Sequence, residues 1–436
     1  MSFERLFAPL NIGPVEIKNR IVMAPMNTWM ANADGTVSEQ ELGYYAARAK
    51  GGAGLIITGV FMASRSAWEQ QAIHADALFD PGIHLPAASE LTETIHYFGA
   101  KVFVQLSPGL GRQQRYFRSP LFSASGGIPI DSRLALESRQ QSIKPFLRVN
   151  PRVKPAFGAE PREMTVKEIG EEIENYLDAI DLAVVAGFDG LEIHACHGYL
   201  LHQFLSPRTN HRTDEYGGSL EKRNRFLLEI IGRARERFGP DLPISVRLSG
   251  AEHVEGGITP EDMRAGSRLC EKAGANLVHL SDGCHEAARY FLPEKENTHI
   301  LEEQGRKLKE AVHIPIVSFS IHDPDLAERA IAEGHTDMIS AARAFMADPE
   351  WPNKVREGRL KEIVRCQREL ACQVHMYRGT PLRCILNPNL GRERYMPEYW
   401  PKKRSARIPE TLARVRGLNQ THVVSPLTSQ KYKLLD

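Results

Sequence analysis

The segment Glu192-Ile-His-Ala-Cys-His-Gly-Tyr199 places two imidazoles and a phenol close together, with His194, His197 and Tyr199 at i, i+3 and i+5. A short apolar strand, Gly190–His194, delivers them to the point where a buried strand gives way to a loop. Two imidazoles can grip an oxygen, and a phenol beside them can hand over a proton. That combination suits proton-coupled chemistry on an unsaturated carbonyl compound. Two plainer readings stay open: packing histidines with satisfied hydrogen bonds, or a metal site made from His194, Cys196, His197 and His202. Joint ligation is disfavoured, because adjacent Cys196 and His197 would point to opposite sides if the strand persisted. No metal is expected.

Eight short runs can act as strands: Ile21–Met26, Gly54–Val60, Lys101–Leu106, Gly190–His194, Pro243–Leu248, Leu277–Ser281, Ile314–Phe319 and Asp337–Ala341. They read as apolar throughout rather than alternating, the pattern of parallel strands covered on both faces. Helical patterns lie between them with clear start signals. Thr165-Val-Lys-Glu168 is a capping box, and Thr259-Pro260 and Asp323-Pro324 each place an N-cap before a proline. Ser219 opens the amphipathic run Leu220–Phe238, which stops at Gly239-Pro240. Glu39–Lys50, Leu85–Phe98 and Trp351–Ile363 fill the remaining slots. The spacing predicts an α/β fold, a (β/α)8 TIM barrel. A doubly wound sheet is the alternative, but Ala24-Pro25-Met26-Asn27 follows the first strand where Gly-x-Gly-x-x-Gly would be needed.

Residues 107–164, rich in Gly, Pro, Ser and Arg, form a long insertion after strand three that would hang over the active-site mouth. Residues 1–363 are expected to be the barrel, and 364–436 a C-terminal extension ending in a basic, irregular tail (Lys402-Lys403-Arg404, Arg407, Arg414, Arg416). A net charge of +1 implies no nucleic-acid or membrane surface. No window approaches the roughly 20 apolar residues of a membrane span. The start, Met-Ser-Phe-Glu-Arg-Leu-Phe, lacks a signal-peptide core, and six cysteines in a chain of 436 residues are no secreted disulfide framework. A cytoplasmic homo-oligomer acting on a small molecule is expected.

With these residues on the page, the chain resembles the Old Yellow Enzyme family of FMN-dependent ene-reductases, in its 2,4-dienoyl-CoA reductase-like branch. The resemblance runs over roughly residues 3–395. It is carried by Lys18-Asn-Arg-Ile-Val-Met-Ala-Pro25-Met26, Gly52-Ala-Gly-Leu-Ile-Ile-Thr-Gly59, His194–Tyr199 with Phe204-Leu-Ser-Pro and Asn210–Glu221, Ser245-Val-Arg247-Leu, Gly283-Cys-His285-Glu-Ala, and Ala342-Arg343 through Asp348-Pro349. It implies that His194 and His197 grip the substrate's carbonyl oxygen and that Tyr199 protonates the α-carbon, partnered by His285. It further implies that Pro25, Met26, Asn27 and Gly59 line the flavin ring, that Gln105 bonds its pyrimidine and that Arg247 faces its N1/C2=O edge. Ser320, Ala342 and Arg343 would hold its phosphate. The implied function is FMN-dependent reduction of an α,β-unsaturated carbonyl compound, with NAD(P)H re-reducing the flavin. The alternatives are amine demethylation or dehydrogenation, or alcohol oxidation, on the same barrel, and a flavin-binding protein without turnover.

Three departures from the family pattern shape the expectation. Phe319-Ser320 replaces the usual Gly-Arg at the end of strand seven, so the phosphate would be held differently. The branch spaces four cysteines C-x2-C-x3-C-x11-C around a [4Fe–4S] cluster. Cys372 and Cys384 keep the last spacing, but Arg365 and Arg368 stand in the first two positions and Cys366 is one residue off, which argues against a cluster. The nucleotide-binding domain that larger members append is not expected after the cysteine region.

Overall fold

The computed structural model describes all residues except Met1, 70–76, 80–82, 114–121, 132–133, 136–159, 297, 378 and 402–436. The eight apolar runs form parallel strands: β1 Ile21–Met23, β2 Leu55–Met62, β3 Lys101–Ser107, β4 Gly190–Ala195, β5 Ile244–Ser249, β6 Leu277–Ser281, β7 Ile316–Phe319 and β8 Met338–Ala341. Each pairs with the next, and β1 pairs with both β8 and β2, so the sheet closes into a barrel. Closure removes every edge, and the helices cover the outside. Positions in β4, β5 and β6 are buried throughout.

The helix signals act where the sequence places them. Around the barrel run α1 Glu39–Lys50, α2 His84–Tyr97, α3 Val166–Ala186, α4 Leu220–Phe238, α5 Pro260–Ala273, α6 Arg306–Lys309, α7 Pro324–Ala332, α8 Arg343–Ala347 and α9 Trp351–Arg356. Thr165 and Thr259 close full capping boxes with Glu168 and Asp262, and Ser219 and Asp323 accept from first-turn N–H groups. Each such cap is worth about 1 kcal/mol.

Several boundaries differ from expectation. The first strand ends at Met23, ahead of Pro25, which has no N–H for a ladder. This frees Pro25, Met26 and Asn27, all partly exposed, to form a loop at the strand's C-terminal end. The helix expected over Trp351–Ile363 stops at Arg356, where Gly358 turns left-handed (φ 72°) before the short turn Leu360–Glu362. An antiparallel hairpin, Leu10–Ile12 against Val15–Ile17, precedes β1. Its Ile12, Val15 and Ile17 are fully buried against Val22, Leu55, Leu277 and Met338 and plug the N-terminal end of the barrel. Of the insertion over 107–164, the described parts include a turn at Gly111–Gln113 and a short parallel pair, Phe122–Ser123 with Arg162–Glu163. No helix among the described residues is long and apolar enough to cross a membrane.

The segment after α9 packs back on the barrel. Leu382 N–H donates to Thr28 O (3.0 Å), Gln40 Nε2 to Gly391 O (2.7 Å), and Arg48 pairs with Glu393 at 2.5 Å with both side chains almost fully buried. Removing one partner strands the other's charge away from water. Glu393→Ala is therefore expected to lower stability by about 3 kcal/mol, read as a lower urea midpoint at unchanged slope.

Candidate active site

The interior of the barrel is polar along one row, against the expectation of uniformly apolar strands. Alternate residues of a strand share a face, so Glu192 and His194 in β4, Ser245, Arg247 and Ser249 in β5, and His279 and Ser281 in β6 point the same way. The register sets Glu192 opposite Gln105 and Ser245, and Arg247 opposite both His194 and His279. Glu192 is the hub. It accepts from Gln105 Nε2 (2.7 Å) and Ser245 Oγ (3.1 Å) and pairs with His279 Nδ1 (2.7 Å), whose Nε2 meets Ser340 Oγ (2.8 Å). Burial opposes ionisation of Glu192, yet His279, Arg247 and Gln105 together hold its carboxyl below the usual range. This anionic layer fixes the Gln105 amide and sits under the Arg247 guanidinium. Glu192 and His279 went unassigned in the sequence; their signal was a polar residue at every second position near a strand's C-terminal end.

Above that layer the expected residues converge. The His194 ring lies 4.8 Å from the Tyr199 ring and 5.7 Å from the His197 ring. Tyr199 Oη is 3.2 Å from Nε2 of His285, which sits on a turn after β6. The strand stops at Ala195, and His197 adopts a left-handed backbone (φ 63°) that swings its ring back to the His194 side. The opposite-sides argument against joint ligation thus fails in this geometry. Ligand atoms of His194, Cys196 and His197 all lie within 4.8 Å of one another. With no metal beside it, burial pushes the Cys196 thiol up to about 12.

Residues that sequence reasoning missed hold this corner. His197 N–H donates to Ser249 Oγ (3.1 Å), and His197 Nε2 meets Ser281 Oγ at 2.6 Å. Phe291, on the loop after His285, packs its ring 4.7 Å from His197 and 5.7 Å from His285. Burial, reinforced by Arg247, lowers His194 to about 3 and pulls His197 well below its ordinary value. Both imidazoles are neutral at physiological pH.

The residues expected at a cofactor ring the same end. Gly59 lies where the β2–β3 register shifts, donates its N–H to Tyr45 Oη (2.7 Å), and would set a Cβ 2.5 Å from Met26 O. Glycine is therefore dictated there by the close approach of the Met26 backbone. Ser320 follows β7, and Ala342 and Arg343 follow β8, with Arg343 Nη2 donating to Ser320 Oγ (3.4 Å). Arg247 Nε, Arg343 Nη1 and His194 Nδ1 are buried without a partner among the described residues, and neither arginine forms an ion pair there. Buried orphan donors at one face call for a ligand rich in acceptors and negative charge, and FMN fits that demand.

In the insertion, Arg112 is buried, ion-paired with Glu286, and donates to Pro129 O (2.7 Å). Arg115, Arg118, Arg133 and Arg139 lie outside the described residues, as does the basic tail from Lys402. The cysteine region does not fit a four-thiolate cluster. Arg365 and Arg368, which stand at the first two ligand positions, cannot ligate iron, and Arg365 lies 3.5 Å from Asp323.

Comparison with known proteins places the geometry in context. The sequence matches the NADH:flavin oxidoreductase / NADH oxidase family over residues 5–362. It is 39% identical over 400 residues to an NADH oxidase of Thermoanaerobacter brockii, covering 90% of this chain and 57% of that protein. It is 34% identical over 425 residues to a cinnamate reductase of Clostridium sporogenes, covering 92% and 60%. A solved 2-naphthoyl-CoA reductase in complex with 2-naphthoyl-CoA superposes with a TM-score of 0.77 at 29% identity, covering 90% of this chain and 58% of that one. The chain thus spans less than two thirds of the length of these relatives.

Proposed function

The chain belongs to the NADH:flavin oxidoreductase / NADH oxidase family, and from that premise we propose that it is an FMN-dependent, NAD(P)H-supplied ene-reductase acting on α,β-unsaturated carbonyl compounds. The single observation that carries this reading is the meeting of His194, His197, Tyr199 and His285 above Arg247. FMN, when bound, supplies the hydride that adds to the substrate's β-carbon, and NAD(P)H restores it. Residues 1–363 are read as the FMN-binding barrel and 364–436 as its extension, in a cytoplasmic homo-oligomer.

The protein's own contribution follows from its protonation states. A neutral imidazole offers one N–H. Two of them aimed at the carbonyl oxygen stabilise the enolate-like charge that builds as hydride arrives, without protonating it. The proton then comes from Tyr199 and enters the α-carbon, so hydride plus proton account for the two hydrogens gained. His285, in hydrogen-bond reach of the phenol, resupplies it. Arg247 adds fixed positive charge on the cofactor side. The cinnamate and naphthoyl-CoA relatives support an aryl-conjugated acyl compound as substrate class. The test is anaerobic: protein reduced with NAD(P)H is mixed with cinnamate or cinnamoyl-CoA, and flavin reoxidation with formation of the saturated acid is expected. Bleaching by a tertiary methylamine instead would replace this reading with an amine dehydrogenase.

Ser281 sets the His197 tautomer in this scheme. When its hydroxyl donates to Nε2, the His197 proton sits on Nδ1, free to point elsewhere. Ser281→Ala removes that bias and is expected to lower kcat about tenfold with KM little changed, while Ser281→Thr retains most activity. A fall in stability alone, at unchanged kcat, would make Ser281 a packing residue.

A further inference from the structure

The phosphate end of the cofactor site presents a problem of charge. Where the family resemblance leads one to expect Gly-Arg after β7, the chain has Phe319-Ser320. A serine brings a hydroxyl but no charge. Arg343 after β8 remains, with Nη2 donating to Pro293 O (3.1 Å) and Ser320 Oγ (3.4 Å) and Nη1 buried and unpartnered among the described residues.

A second guanidinium reaches the same spot from the C-terminal extension. Arg368 is almost fully buried and donates through Nη1 to the same Pro293 O (3.1 Å). Its Nη2 donates to Glu296 Oε1 (2.9 Å) and to His322 Nδ1 (3.3 Å), and His322 sits two residues past Ser320. Both arginines therefore converge on one carbonyl, at the ends of β7 and β8. The only carboxylate paired with either among the described residues is Glu296, itself partly exposed and also accepting from His322 N–H (3.0 Å). His322 cannot offset the remaining positive charge. Burial, with Arg368 and Arg343 beside it, holds its ring well below the ordinary value and hence neutral. Burial and the neighbouring Arg368 likewise pull Arg343 down, the mark of two like charges confined without a full counter-charge. An arginine presents five N–H donors, and the contacts above leave part of each fork unused.

We propose that Arg368 is a phosphate-binding residue, which with Arg343, Ser320 and His322 forms a two-arginine site for the 5′-phosphate of FMN. The proposal rests on the FMN reading of this barrel. A phosphate monoester carries close to two negative charges at neutral pH and takes bidentate forks. It answers both the surplus charge and the orphan Nη1. Arg368 stands where the branch would carry the second cluster cysteine, so the extension serves the flavin through its phosphate rather than through iron.

The test separates phosphate recognition from general packing. The full chain, freed of flavin, is titrated with FMN and with riboflavin, which lacks the phosphate, and flavin fluorescence quenching is read. Wild type should prefer FMN. Arg368→Met should weaken FMN roughly 10- to 100-fold and leave riboflavin unchanged, with Arg368→Lys in between. Equal FMN affinity in Arg368→Met, or equal losses for FMN and riboflavin, would overturn the proposal and make Arg368 a strut between the extension and the Pro293–Glu296 loop. Should Arg368→Met fail to fold, the FMN-to-riboflavin preference of Arg368→Lys decides: unchanged from wild type, the proposal is lost. Wild type that binds neither flavin would instead sink the FMN reading itself.

Discussion

Tyr199→Phe is expected to lower the rate at which reduced protein turns over an unsaturated acyl substrate by about 10²–10⁴-fold. Reduction of the flavin by NAD(P)H should proceed at the wild-type rate. The substitution keeps the ring that packs 4.8 Å from His194 and 5.4 Å from His285 and deletes only the hydroxyl that meets His285. In the proposed reaction hydride transfer would leave charge on the carbonyl oxygen, and the neutral imidazoles would stabilise it without giving up a proton. On that proposal the α-carbon would draw its proton from elsewhere, from the Tyr199 phenol. Stopped-flow measurement of the two half-reactions decides the matter. A Phe variant whose reoxidation by substrate matches wild type would remove Tyr199 from the mechanism.

His194→Ala should cost about 10²–10³-fold in kcat/KM for the same substrate, the usual loss on deleting one preorganised oxyanion donor. If both donors serve one oxygen, as proposed, the double variant with His197→Ala should fall less than the product of the single losses. The same histidine makes a stability prediction with a definite sign. Its pKa falls from 6.5 to about 3 on folding, first through burial and then through Arg247. The unfolded chain binds a proton there that the folded one refuses, so stability is full above about pH 6.5 and drains as pH drops toward 3. His194→Asn, which cannot titrate, should show a shallower decline of urea midpoint over that window. An identical decline would assign the acid sensitivity to other groups.

Much of this was legible beforehand, for local physical reasons. Apolar runs of strand length, capping boxes at Thr165 and Thr259, and prolines at helix starts are signals that act over a few residues, and the eight strands appeared where they pointed. The grouping of His194, His197 and Tyr199 was readable because all three belong to one strand end. The N-terminal plug was not, since two three-residue strands carry too little pattern to stand out from the opening strand. Nor was the fate of Arg112, whose buried partner Glu286 lies far along the chain.

By itself, then, the sequence determined the barrel, the family resemblance and the set of side chains able to do chemistry, because propensity, capping and residue type are written locally. Barrel closure decided the rest. It set Arg247 level with His194 and His279, placed Ser281 on His197, and wired Gln105, Ser245 and His279 into Glu192. It also carried Arg368 from the extension to Arg343. These pairings join residues tens of positions apart or more, and their value lies in burial, which silences the imidazoles and leaves arginine donors waiting for an anion. Neither burial nor long-range register exists until the sheet has closed on itself.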